Sequence, residues 1–285
     1  MHAVVAVILA VCPTAGEGPR DCPWAGIARD AVAGDATATL EYQAPSIWRQ
    51  LATDALHPEL HALWGESRNR DEIADKEIVD PRVLTALARR VGLAISGDRV
   101  PAGLIHTYGY LFSLLPTPFG FKRARWVAGE LETGLGLPAG SLGPTPTGGT
   151  LYANATWILG RLALEDPRAR HLLGRISVPE PLRHFRPSSL RRTRLEERVR
   201  VLGRTIILRT DVVAFLRPGH YTHLAVYSVA DAGGNRLLTA FPVGQAFVSS
   251  LVKRARSREL VRARFNAWVD GLPKGGLPGR RTLRR

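Results

Sequence analysis

The apolar positions of the chain change period once, near residue 199, and that change divides the sequence. Between residues 24 and 95 they recur at helical spacing. Ile47, Trp48, Leu51, Leu56, Leu60, Leu63 and Trp64 follow a capping Ser46 and are interrupted at Pro58. Val83, Leu84, Leu87 and Val91 form a second stripe, opened by Asp80-Pro81 and closed by Gly92. The charged run from Ser67 to Lys76 reads as an exposed connection. Residues 96–150 hold six prolines and many glycines, which predicts loop around one or two short helices. Residues 151–164 are helical again, and 168–197, rich in Pro and Arg, read as a basic linker.

Beyond Val199 the period is two. Residues 204–209, 212–216, 224–229 and 236–243 predict four strands of an antiparallel meander, turning at Pro218-Gly219 and at 231–235. Gly244 then opens a long amphipathic basic helix to about Val269, with Phe247, Leu251, Val261, Phe265 and Trp268 on one stripe. The predicted class is α+β: a helical, loop-rich region over 24–167, the linker, a sheet plus helix over 198–272, and a basic tail over 273–285.

Composition agrees with a globular chain. Of 285 residues, 45% are hydrophobic and 22% charged, and no apolar run reaches the ~18 residues of a membrane-spanning helix. Two cysteines exclude a disulfide scaffold and a Cys-rich zinc module. The apolar run 3–11, followed by Thr14-Ala15-Gly16, predicts an export signal over residues 1–16, although His2 alone supplies its basic end. Leu9-Ala10-Val11-Cys12 resembles a bacterial lipoprotein box, which implies a lipid anchor on Cys12 as the alternative to simple export. A secreted or periplasmic location follows from either reading. The plainer alternative is a buried first strand.

The net charge of +14 changes the picture most. Only Lys76, Lys122, Lys253 and Lys274 are lysines, so 35 of the 39 basic residues are arginine. GC-rich coding produces arginine by default, but it acts on the whole chain. Residues 1–167 hold 14 basic and 18 acidic side chains, whereas 168–285 hold 25 and 7. The change of sign predicts a polyanionic partner: nucleic acid, an anionic membrane surface or an acidic protein. A basic face that is merely solvated explains the numbers equally well. Arg254, Arg258 and Arg262 fall four apart on the predicted last helix, where like charges oppose the helix unless an anion meets them.

Three stretches carry candidate chemistry. In the first, His106 and Tyr108 precede Lys122, Arg123, Arg125, Glu130 and Glu132. His106, Tyr108, Lys122 and Glu130 are the candidate acid, base and anion-holding groups of an exported hydrolase. A packed aromatic loop is the plainer reading of the same residues. In the second, Gly148-Gly149-Thr150-Leu151-Tyr152-Ala153-Asn154 resembles the Tyr-Ala-Asn stretch of class C β-lactamases, in which the tyrosine aids proton transfer. The likeness covers about 15 residues. Ser250-Leu251-Val252-Lys253, the only Ser-x-x-Lys, follows rather than precedes it, and no Lys-Thr-Gly is present, so that activity is not carried over.

The third stretch is His220-Tyr221-Thr222-His223. Residues three apart on a strand point to opposite faces, and no third ligand is evident, so no metal site is expected. As bases, His220 or His223 with Arg209, Arg217 and Arg236 as an anion clamp make the ingredient list of a metal-independent endoribonuclease, with Tyr227 and Thr239 as donors. Residues 237–242 are slightly similar to the last strand of bacterial ribonuclease-A-like toxin domains, without that family's helix-borne histidine. No nucleotide or dinucleotide loop occurs, and no cofactor is expected. The leading reading is an exported basic protein whose sheet–helix region binds an anionic macromolecule through Arg209, Arg217, Arg236, Arg254, Arg258 and Arg262. The endoribonuclease and the hydrolase are its alternatives.

Overall fold

Each helix of the first half starts where the chain supplies a cap or a proline. In the computed structural model, which describes residues 22–71, 73–117, 120–255 and 266–272, α1 (Cys22–Ala33) is followed by α2 (Ala36–Gln43). Asp35 caps α2 by accepting from the Thr37 and Ala38 amides. The stripe expected behind Ser46 is α3 (Pro45–Asp54), then α4 (Pro58–Ala62). Ser46 is not its cap, because the helix already begins at Pro45, whose ring presets φ. Asp80 caps α5 (Pro81–Arg90) through the Arg82 amide, and α1, α2 and α3 pack around α5.

The charged run between α4 and α5 is an exposed connection only in part: Arg70, Ile73, Asp75 and Lys76 are exposed, but its start is drawn into the fold. It forms β1 (Glu66–Arg68), antiparallel to β2 (Arg99–Pro101), and buries Ser67, Asn69 and Asp71. The Ser67 hydroxyl donates to the Asn266 carbonyl at 3.1 Å, and Asn69 exchanges two hydrogen bonds with the Val79 backbone. These bonds replace the water that a polar run normally keeps.

Short elements fill the loop-rich stretch. They are α6 (Ala102–Leu104), a π-turn over Ile105–Gly109, the β3 (Pro116–Thr117) and β4 (Gly120–Phe121) hairpin, α7 (Ala124–Val127) and α8 (Glu130–Leu135). At the centre is α9 (Leu151–Ala163), whose only residue not buried is Arg161. A helix apolar on every side belongs inside a core. Two glycines let it be approached closely. At Gly103 an added Cβ would meet the Tyr152 ring, and at Gly160 it would meet Leu173 of α10 (Pro167–Arg175). A short helix, α11 (Glu180–Arg183), and a 3-10 turn at Pro187–Ser189 precede the sheet.

The sheet is an antiparallel meander in the order β5 (Arg192–Val201), β6 (Arg204–Ala214), β7 (His223–Asp231), β8 (Gly234–Val243). The expected number of strands is right but two assignments change. Residues 204–209 and 212–216 were expected as separate strands, and β6 runs through 204–214 without a break. The expected linker contains α10, α11 and most of β5. One face of the sheet carries Val213, Leu224, Val226, Leu237 and Ala240 against α9 and α6, in a single core that reaches back to Ala28. The other face carries Ile206, Leu208, Tyr227 and Val229 with Ala267. At the β8 edge the Gly65 amide donates to the Leu237 carbonyl, and the Leu237 amide to the Leu63 carbonyl. No strand among the described residues pairs with the β5 edge.

After the sheet comes α12 (Gln245–Ala255), which starts where Gly244 predicted. The helix does not reach Val269: Ala267–Trp268 is β9, paired with β1. Arg254 lies in α12, while Arg258 and Arg262 fall outside the described residues, as do 1–16 and the tail 273–285. No helix among the described residues is long and apolar enough to cross a membrane.

Candidate functional site

Several buried polar groups of the helical region gather around Asp54. This residue ends α3 on the face that also buries Ile47, Trp48 and Leu51. One carboxylate oxygen accepts from the Thr150 hydroxyl and the other from the Tyr108 hydroxyl, both at 2.6 Å. Burial pushes its carboxyl up to about 6, against the opposing pull of those two hydroxyls. Thr150 also caps α9 by accepting from the Ala153 amide. Gln50, one turn before Asp54, accepts from the Leu151 amide at 2.7 Å and donates to the Pro144 carbonyl at 2.8 Å. Nearby, His61 Nδ1 lies 3.1 Å from the Tyr152 hydroxyl, and the Trp64 indole donates to Thr156. The network ties the 138–150 loop and the start of α9 to α3.

The hydrolase constellation is not assembled. Tyr108 is fully buried beside Asp54, and burial holds its hydroxyl well above its ordinary value, so it is a structural donor. His106 is also buried, edge-on to Tyr110 at 4.9 Å, and neither ring nitrogen meets a hydrogen-bond partner. Burial first, then the positive Arg125 and Lys122, hold it well below the usual imidazole range. Lys122 points away to Asp71 at 2.9 Å. Arg125 lies over the Tyr110 and Phe241 rings, and burial lowers it to about 10.

Glu130 sits elsewhere, in a cleft of 120 Å³ with Thr133, Phe215, Arg217 and Tyr221. Here the 106–132 and 217–221 stretches meet without a histidine, while the adjoining cleft that Glu132 and Arg217 line also holds His184.

The histidine–arginine set of the ribonuclease reading is also dispersed. His220 is exposed, its ring 4.5 Å from that of Tyr221, and His223 Nδ1 lies 2.8 Å from the Thr222 hydroxyl. Burial, then Arg191, lowers His223 below the usual imidazole range. His223 pairs with Ala214, five residues along β6 from Arg209. Five residues span about 17 Å and an odd offset reverses the face. Arg209 instead binds Glu196 at 2.7 Å, and Arg236 binds Asp231. Tyr227 and Thr239 are buried.

The arrangement that the sequence reading missed lies on β5. Arg192, Arg194, Glu196, Arg198 and Arg200 alternate along it and share one face, since successive residues of a strand point to opposite sides. The inner pair is neutralised. Arg194 donates to both oxygens of Asp211, at 2.8 and 3.2 Å, and Arg192 donates to Glu165 at 2.6 Å. The same guanidiniums donate to the Leu162 and Ala163 carbonyls at the end of α9, a favourable place for positive charge.

The outer pair differs. Arg198 and Arg200 are exposed, and no carboxylate among the described residues pairs with them; the same holds for Arg204 across the turn. Only β5 pairs with residues 204–206, so the hairpin tip runs about three residues, roughly 10 Å, beyond β7. The turn is Leu202-Gly203, both with positive φ, at 47° and 75°.

No protein family, no curated protein and no solved structure matches this chain.

Proposed function

We propose that this protein binds an anionic polymer, and that the outer half of the β5–β6 hairpin is its contact surface. One observation carries the reading. On a single strand face the inner arginines are matched by Asp211 and Glu165, whereas Arg198 and Arg200 face solvent with no carboxylate partner among the described residues; Arg204, opposite Val201, projects from the other face of the ribbon. Two guanidiniums on one face of a projecting ribbon, with a third on its other face, suit the planar, paired hydrogen bonding of phosphate or carboxylate groups. An edge strand also gains from arginines that discourage edge-to-edge pairing. That role explains charge anywhere along β5 but not why its outer arginines lack the carboxylate partners, among the described residues, that the inner ones have.

The basic excess of residues 168–285 supplies a long-range field around this contact. Export directed by residues 1–16 belongs to the same reading, and places the partner outside the cytoplasm. The proposed activity is binding, with no catalytic group assigned.

The test is fluorescence anisotropy with a labelled 20-mer oligonucleotide and with heparin. Tight binding at low salt is expected, weakened at least tenfold by Arg198→Ser with Arg200→Ser and retained in His220→Ala with His223→Ala. Equal binding by the arginine variant overturns the reading.

A further inference from the structure

We infer that the polymer is a nucleic-acid duplex and that Leu202 is a wedge engaging one of its base steps. The inference rests on the hairpin being the contact surface. Leu202 is 87% exposed, at the end of a hairpin flanked by Arg200 and Arg204. Its φ of 47° places a bulky side chain in the left-handed region, where a Cβ crowds the backbone. Two-residue hairpin turns of this geometry favour Asn, Asp or Gly at the first position. A hairpin serving stability alone has no use for leucine there. It is both strained and solvated, which are two independent costs, and strain of this kind collects at contact sites.

The ribbon is also braced. At Gly271, φ 80°, the Val201 side chain occupies the space that a Cβ would take, so the backbone of the 266–272 segment presses on the hairpin beside its tip. The Leu202 side chain touches this brace at one edge, 3.5 Å from the same point. A fixed ribbon carrying cationic flanks and one apolar tip has the parts that groove-binding proteins use: arginines on phosphates, and an apolar residue pushed between base pairs. An anionic bilayer fits less well. Arg200, Gly203 and Arg204 surround the tip, so one leucine is all that enters the apolar layer, and stable anchoring takes more than one such element.

The test uses the full chain and a DNA duplex with a central 2-aminopurine, whose fluorescence rises on unstacking. Wild-type protein at saturation is expected to raise it. Leu202→Asn, which suits the turn, keeps the anisotropy signal and its salt dependence but loses the fluorescence rise. An RNA duplex, a single strand and vesicles of phosphatidylglycerol with phosphatidylcholine are run at the same salt. Saturation without unstacking, or an undiminished rise in Leu202→Asn, overturns the wedge while leaving polymer binding intact. Leu202-dependent vesicle binding without duplex binding overturns the choice of partner. Failure to bind any of the four, with heparin also unbound, overturns the reading beneath both.

Discussion

Tyr108 donates its hydroxyl to Asp54 across 2.6 Å, and neither side chain reaches solvent. Asp54 titrates near 6 in the fold against 3.8 when free, because burial disfavours its anion. The fold thus holds this proton more tightly than the unfolded chain does. The group costs nothing below about pH 3.8. Its cost grows as pH rises to about 6 and then stays level, at about 3 kcal/mol. Asp54→Asn removes the titration. Urea unfolding of both proteins from pH 4 to pH 7.5 is expected to show wild-type stability falling relative to the variant through that window. A constant difference contradicts the assignment.

The Arg194–Asp211 pair ties the sheet to the end of α9. Removing Asp211 leaves Arg194 with Glu165 and the Ala163 carbonyl, so Asp211→Ala is expected to cost about 1–3 kcal/mol in urea unfolding, from the lost bidentate contact. Adding Arg194→Leu to that variant returns part of the loss. If the two losses simply add, the pair is not coupled.

Two glycines separate close packing from backbone entropy. At Gly103 a methyl group meets Tyr152, and Gly103→Ala is expected to lose about 1–3 kcal/mol by displacing the ring from His61. At Gly26, within α1, nothing lies within 4 Å of an added Cβ. Gly26→Ala is expected to gain about 0.5–1 kcal/mol. Thermal melts of the two variants should move in opposite directions.

Leu202→Asn is expected to raise thermal stability, because asparagine tolerates the left-handed turn at less cost than leucine. A lowered melting temperature means that the Leu202 contact beside Gly271 outweighs its strain.

Much of this architecture was legible in the chain because apolar period and punctuation agree. Asp80-Pro81 and Gly92 bracket α5, Pro58 separates α3 from α4, and β7 and β8 follow their alternating runs. Misreadings arose where polar residues are buried or charge replaces hydrophobicity. Thr210 and Asp211 look like a strand break but are buried in the middle of β6, with Asp211 balanced by Arg194. Arg192 to Arg200 alternates as a strand does, yet the alternation is of charge, and neighbouring prolines made it look like a linker. The candidate site suffered from the same ambiguity. His106, Tyr108 and Lys122 are close in sequence, but a π-turn buries the first two in the core, Tyr108 against Asp54, while Lys122 pairs with Asp71. No local pattern reports that Asp54, near the end of α3, will meet Thr150 at the cap of α9.

The most direct test of the account is the salt dependence of duplex binding in wild type and in Arg198→Ser with Arg200→Ser. Each phosphate neutralised contributes about 0.9 to the slope of log K against log salt. If Arg198 and Arg200 each hold a phosphate, the slope of the variant is shallower by about 2. An unchanged slope places the anionic partner somewhere other than the tip of this hairpin.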